Sequence, residues 1–247
     1  MKKKLKKIEN KIIKVGAKTS STGKIFGSVS PIQLAEAINK KAKLIITSIN
    51  CDIESEKVVK FENYEDVFNH VIKKMYPEYV DKNFFGLTGT NGKTSVVEFC
   101  RQIWGQASWK AASMGTLGTK IDTSSEKNNI LKSNENLTTY EPSRLYKQLH
   151  FLASKEVSNL AIEASSHGID QHRLDGIRFS GAVFTNLSHD HLDYHKNIKN
   201  YYSSKKRLFT HLLNPNSSIA INIDDSYGEK LHNELNKSNH LILTFGK

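Results

Sequence analysis

Phe84-Phe85-Gly86-Leu87-Thr88 runs directly into Gly89-Thr90-Asn91-Gly92-Lys93-Thr94, and the segment Lys93 to Trp104 that follows has helical character. An apolar strand, a glycine-rich turn and a helix start in that order make a phosphate cradle. Glycines let successive backbone N–H groups point at phosphate oxygens, and the helix N-terminus adds partial positive charge. In such a loop Lys93 reaches the β- and γ-phosphates and Thr94 offers a hydroxyl to Mg²⁺, while Gly89, Thr90, Asn91, Gly92 and Ser95 complete the cradle. The strict G-x-x-x-x-G-K-[ST] spacing is missed by one residue, because Leu stands at 87 and the glycine at 86. A glycine turn without a ligand is the plain alternative, and the strand before it and the helix after it weigh against that.

Outward from this loop, strand and helix patterns alternate. Helix 143–154 leads to the strand Asn159–Ala164, and the strand Gly181–Asn186 leads through a polar loop to a helix around Tyr201–Leu213. The strand Ser218–Ile223, a helix over 226–235 and the strand Leu241–Phe245 follow. This alternation predicts an α/β fold: a P-loop ATPase domain with a mostly parallel sheet over residues 83–247, its ligands at the C-terminal strand ends. Upstream, Ser30-Pro31-Ile32-Gln33 has the form of a helix start, 43–48 of a strand and 64–75 of a helix, so residues 1–82 read as a small N-terminal α/β domain.

The 247 residues carry 36 Lys+Arg against 25 Asp+Glu, a net charge of +11. Such a balance invites a nucleic-acid partner, but seven lysines against one acid fall within residues 1–14. Leu5, Ile8, Ile12 and Val15 recur there at helical spacing, so the lysines read as the solvated face of a helix, and no nucleic-acid partner is expected. No apolar run approaches the ~20 residues of a membrane span. Cys51 and Cys100 lack metal-type spacing and fit a reducing cytoplasm.

Two further clusters sit at strand ends. Glu163 closes Asn159–Glu163 and is followed by Ser165 and Ser166, a carboxylate and two hydroxyls suited to Mg²⁺ and to substrate oxygens. Between positions 189 and 195 lie His189, Asp190, His191, Asp193 and His195, directly after the next strand. Zinc is one candidate for this group; hard Mg²⁺ with ATP phosphates accounts better for the neighbouring loop.

The segments TGTNGKT, EASSHGIDQHRL, FTNLSHDHLDYH and INIDD, in this order, resemble the Mur ligase family, and among its branches the UDP-N-acetylmuramoyl-tripeptide synthetases (MurE) most. The resemblance is clear over about 83–247 and looser over 1–82, which would correspond to the UDP-substrate-binding domain. It implies an ATP-dependent ligase that activates the D-Glu side-chain carboxylate of UDP-MurNAc-L-Ala-D-Glu as an acyl phosphate. A diamino acid, meso-diaminopimelate or L-lysine, then attacks to form the amide. It further implies a soluble cytoplasmic monomer with ATP, Mg²⁺ and small-molecule substrates as its partners.

Matched position by position, the resemblance implies phosphate contacts for Lys93 and Thr94 and Mg²⁺ ligation by Thr94, Glu163 and His191. Lys205 falls at the family's carbamylated lysine and would be a further metal ligand; Lys206 is the alternative register. Thr138, Thr139, Ser165, Gln171 and Arg173 correspond to substrate contacts, and Asn222 to a residue near the adenine. Three departures stand out. The family's TTPE appears as Thr138-Thr139-Tyr140-Glu141-Pro142, no Asp-Ser-Arg is found near Ser20 or Ser21, and no third, amino-acid-binding domain is found before Lys247. A truncated ligase is therefore expected. A non-catalytic nucleotide or UDP-sugar module, and a folylpolyglutamate-synthetase-like ligase, are the alternatives.

Overall fold

The computed structural model describes residues 45–48, 58–61, 83–122, 127–131 and 137–246. The chain divides into two compact units, Met1–Met75 and Tyr76–Lys247. In the first, β1 (Ile45–Ser48) and β2 (Val58–Phe61) pair in parallel. The helices expected near the N-terminus, from Ser30 and over 64–75, and the positions Ser20 and Ser21, lie outside the described residues.

The second unit is built on β3 (Asn83–Thr88), β4 (Ala111–Gly115), β5 (Gly118–Asp122), β6 (Lys127–Leu131), β7 (Asn159–Glu163), β8 (Phe179–Phe184), β9 (Leu213–Asn222) and β10 (Leu241–Phe245). They form one sheet in the order β10-β9-β8-β3-β7-β4-β5-β6. Pairing is parallel from β10 through to β4, and β4–β5 and β5–β6 are antiparallel. The helices are α1 (Lys93–Gln106), α2 (Pro142–Ser154), α3 (Ser166–Asp170), α4 (Leu192–His195), α5 (Ile198–His211) and α6 (Ser226–Leu235).

Local chemistry explains the boundaries. Asn197 accepts from the Asn200 N–H and so starts α5 three residues before the expected Tyr201. Asp225 caps α6 by accepting from the Tyr227 and Gly228 N–H groups. Pro142 opens α2, where its missing N–H costs no hydrogen bond. The antiparallel β4–β5–β6 meander has no counterpart in the sequence expectation. Its first strand, Ala111-Ala112-Ser113-Met114-Gly115, is buried throughout yet contains no β-branched or aromatic residue.

The core gathers where α1 meets the sheet: Leu87, Val97 and Ala161 are buried, with Phe85, Val96, Trp104 and Val183 against them. The central strand β3 lies between β7 and β8, so the loop leaving it is flanked by two further strand ends. That crevice is where an open α/β sheet binds ligands. Among the described residues, no helix is long and apolar enough to cross a membrane.

Candidate functional site

The loop after β3 is held in a phosphate-cradling shape by the loop after β8. Thr90 N–H donates to Asn186 O at 2.9 Å, and Asn91 N–H to Asn186 Oδ1 at 2.9 Å. Thr185 Oγ1 donates to Asn91 O at 2.7 Å, and Ser188 N–H to Thr90 Oγ1 at 2.9 Å. Gly92, at φ 86°, occupies the left-handed region immediately before α1, a conformation that costs glycine nothing. At Gly89 a Cβ would collide with Thr185 Oγ1, so the close approach of the two loops requires glycine there.

Lys93 Nζ donates to Gly89 O at 2.8 Å and Thr90 O at 2.9 Å, folding back over its own loop. Burial lowers the pKa of its ammonium, against the opposing charges of Glu163 and Asp190. Thr94 Oγ1 donates to Glu163 Oε2 at 3.0 Å. Ser95, the third residue of α1, is exposed.

Glu163 closes β7 with 1% exposure and is held from the other side by Thr116, in the β4–β5 turn. Thr116 N–H donates to Oε1 at 2.9 Å and Thr116 Oγ1 lies 3.3 Å from Oε2. Burial pushes the Glu163 carboxyl above its ordinary value, despite hydrogen bonds from Thr116 and Thr94 and the charge of Lys93. A buried carboxylate beside a hydroxyl is a hard oxygen pair, and a divalent cation would supply the charge that favours its ionised form. Glu163 and Thr94 thus fit Mg²⁺. Among the described residues, no three His, Cys, Asp or Glu side chains group to hold a metal.

His191 precedes α4 in the left-handed region at φ 51°, a backbone state that costs a non-glycine residue roughly 1–2 kcal/mol. Its ring packs edge-on against His167 with centroids 4.7 Å apart, and His167 also stacks near Tyr194 and His195. Burial, with the charges of His191, His195 and Arg173, brings His167 down to about 4, so it is neutral at pH 7. Lys205, on α5, is 1% exposed. Its Nζ donates to Gly89 O at 2.7 Å and lies 4.5 Å from the centroid of the Tyr201 ring. Burial, with Lys93 adding like charge, holds its ammonium far below the usual lysine value. Lys206, the alternative register, points elsewhere, pairing with Glu234 at 3.0 Å.

A second side of the site gathers the residues expected to contact substrate. Thr139 Oγ1 donates to Glu163 O at 2.8 Å and accepts from Ser165 N–H at 2.9 Å; Ser165 Oγ in turn caps α3 through Gly168 N–H. Arg173, 4% exposed, donates to Thr139 O at 2.8 Å, contacts Gln171 Oε1 and pairs with Glu141 at 3.1 Å. Thr138 Oγ1 accepts from Thr116 Oγ1 at 3.1 Å. Asn222, at the end of β9, donates to Thr185 O at 2.9 Å, behind the loop that straps the phosphate cradle. Thr116 and Asn186 were not among the expected site residues, whereas Asp190 was expected only as a member of the acidic and histidine cluster. The SHDHLDYH run contains Asp190, but Thr116 and Asn186 act through contacts that no short pattern announces.

The family described as Mur ligase middle domain matches residues 87–247, and that described as ribosomal protein L9, C-terminal domain, matches residues 1–65. The chain is 39% identical over 182 residues to the UDP-N-acetylmuramoyl-L-alanyl-D-glutamate–2,6-diaminopimelate ligase of Anaplasma marginale (strain St. Maries), covering 72% of this chain and 37% of that one. It is 37% identical over 212 residues to the ligase of the same name from Rickettsia prowazekii (strain Madrid E), covering 86% and 43%. The chain thus spans less than half the length of these curated relatives. A solved structure of a ligase of that name superposes with a TM-score of 0.69 at 26% identity, covering 86% of this chain and 42% of the other. The MurF ligase of Thermotoga maritima in complex with ADP shares the fold, with a TM-score of 0.53 at 17% identity over 87% of this chain and 44% of its own. With the phosphate loop and α1, the β7 carboxylate and the β8 strap all inside a matched region of well over half its residues, the chain belongs to the Mur ligase family.

Proposed function

We propose that this chain is the nucleotide-binding and carboxylate-activating part of an ATP-dependent ligase. The ligase would join 2,6-diaminopimelate to UDP-MurNAc-L-Ala-D-Glu in the cytoplasm, in peptidoglycan synthesis. The observation that carries the reading is the meeting of three elements: the Gly89–Thr94 cradle, Glu163 hydrogen-bonded to Thr94, and buried Lys205 on Gly89 O. The amino acid and the acceptor are those in the name of the Anaplasma marginale and Rickettsia prowazekii relatives.

The roles follow from position. Backbone N–H groups of the cradle and Lys93 bind the β- and γ-phosphates, and Lys93 exchanges its bonds to Gly89 O and Thr90 O for phosphate oxygens. Thr94, Glu163, His191 and Lys205, the last as its carbamate, would hold Mg²⁺, which when bound offsets the charge repulsion between the γ-phosphate and the attacking carboxylate. Arg173, Gln171, Thr138, Thr139 and Ser165 orient the acceptor so that its carboxylate oxygen attacks the γ-phosphorus and ADP departs. Fixing two anions in line is most of what such a reaction needs.

Titration of the 247-residue chain with ATP by calorimetry in Mg²⁺ tests this reading. Saturable binding that is abolished by Lys93→Ala is expected, and no binding by the folded wild-type chain would overturn it.

A further inference from the structure

Asp170 closes α3 and is the point at which three separate segments of the site are tied. Its Oδ2 accepts from Tyr194 OH at 2.8 Å, and its Oδ1 accepts from Ser204 Oγ at 2.9 Å. Tyr194 lies on α4, three residues beyond His191. Ser204 lies on α5, immediately before Lys205, and is buried. The Ser204 hydrogen has a second acceptor in Asn200 O at 3.1 Å, but the shorter bond to a carboxylate is the stronger. Ser204 Oγ also lies 3.4 Å from His195 Nδ1, so the α4 segment meets this group twice.

The linkage extends to the acceptor side. Gln171, the residue after Asp170, donates to Tyr194 OH at 3.4 Å and accepts from Arg173, which donates to Thr139 O. A carboxylate at a helix C-terminus faces the negative end of the backbone dipole, and two hydroxyl donors offset that cost. The position therefore has a use beyond its own helix.

We propose that Asp170 is a positioning residue: by accepting the Tyr194 and Ser204 hydroxyls on its two oxygens, it fixes α4 and α5, and with them His191 and Lys205, relative to the phosphate loop. This rests on the reading of the site as one for Mg²⁺ and ATP. Asp170 itself touches no residue of the cradle, which keeps its separate straps to Thr185, Asn186 and Ser188. The cradle meets α5 at Lys205–Gly89 O and Tyr201–Thr90 but keeps its three straps, so losing Asp170 affects the cation side of the site first and the cradle less.

The test is calorimetric titration of the full 247-residue chain with ATP, once in Mg²⁺ and once in EDTA, with the melting temperature recorded. Asp170→Asn keeps one acceptor and turns the other into an amide donor. It is expected to weaken binding about tenfold in Mg²⁺ and less than twofold in EDTA, the scale of one charged hydrogen bond. Tyr194→Phe removes one of the two ties and is expected to give a smaller loss in Mg²⁺ alone. The double variant is expected to be no weaker than Asp170→Asn, because both act through one contact. Tyr194→Phe also decides the matter if Asp170→Asn does not fold. Equal losses in both buffers, or no loss in Mg²⁺, would overturn the positioning role. A wild-type chain that binds ATP in neither buffer would overturn the Mg²⁺–ATP reading itself, a result distinct from either.

Discussion

Thr94 and Glu163 join the first turn of α1 to the end of β7 through one hydrogen bond of 3.0 Å, and Thr116 grips the same carboxylate from the β4–β5 turn. The carboxylate is thereby aimed before any ligand arrives, which is what a preorganised site requires. Thr116→Val keeps the backbone N–H and the side-chain shape but removes the hydroxyl. Its single hydrogen is divided between Glu163 Oε2 at 3.3 Å and Thr138 Oγ1 at 3.1 Å, so the loss is at the low end, about 1 kcal/mol. Affinity for Mg²⁺–ATP should fall ~5-fold with little change in melting temperature. Gly115→Ala should be far worse, because a Cβ there would overlap the Glu163 carboxylate. Calorimetry on both variants checks the order.

A charged network anchors α1 behind the site. Arg101, 1% exposed, donates to Glu98 and to Asp122 Oδ2 at 2.9 Å, and Ser113 donates to Glu98 at 3.2 Å. Glu98 and Asp122 stay partly exposed and Glu98 keeps Lys120 nearby, so the loss is that of charged hydrogen bonds, and Arg101→Ala should cost about 1.5–3 kcal/mol in denaturant unfolding.

The same network sets an acid dependence. Burial would raise the Glu98 carboxyl, but hydrogen bonds from Arg101 and Gln102 and the charges of Arg101 and Lys120 outweigh it and bring it down to about 2. A folded-state value below the unfolded one gives stability that is fully present above pH 4.5 and is lost as pH falls through about 2. Glu98→Gln should therefore narrow its stability gap to wild type between pH 4.5 and 2, as measured by urea midpoints.

Lys205 presents a buried amine with its proton affinity lowered, the state in which lysine nitrogen adds to CO₂ with release of a proton. Wild-type protein in ¹³C-bicarbonate should show a carbamate resonance by NMR that Lys205→Arg lacks. A signal retained in that variant would place the modification elsewhere.

The edge strand β10 leaves Leu241, Leu243 and Phe245 about half exposed, in a row that alternates along the strand. Exposed apolar edges pair with further copies. Leu243→Lys should lower concentration-dependent association of this chain in sedimentation velocity runs, and unchanged sedimentation would clear the edge.

Much of this architecture is legible in the residues. The strand–turn–helix at 83–106 declares itself because glycines and an amphipathic run have few other uses together. Helix α6 and strand β10 fall where Asp225 and the Leu241–Phe245 run place them. The β4–β6 meander is silent because small residues such as Ala111 and Ala112 bury well without a strand signature. Helices α3 and α4 are shorter than the window over which helical periodicity can be detected. In the site, Lys93, Glu163 and the histidines stand out by residue type, whereas Thr116 and Asp170 matter through partners distant in sequence, and one-dimensional pattern carries no such information.

The strand order has a consequence for how the chain is made. β3 never pairs with β4; the slot between them is filled by β7, which is synthesised after α1, the meander and α2. A ribosome therefore releases the phosphate loop well before the strand that completes its floor, and folding must wait on a long loop closure. Until β7 inserts, Leu87 and Ala112 lack their central neighbour and Glu163 is still absent from the site. The nucleotide pocket is thus a late product of biogenesis, and a nascent chain stalled before residue 159 would expose β3 and β4 to chaperones and proteases.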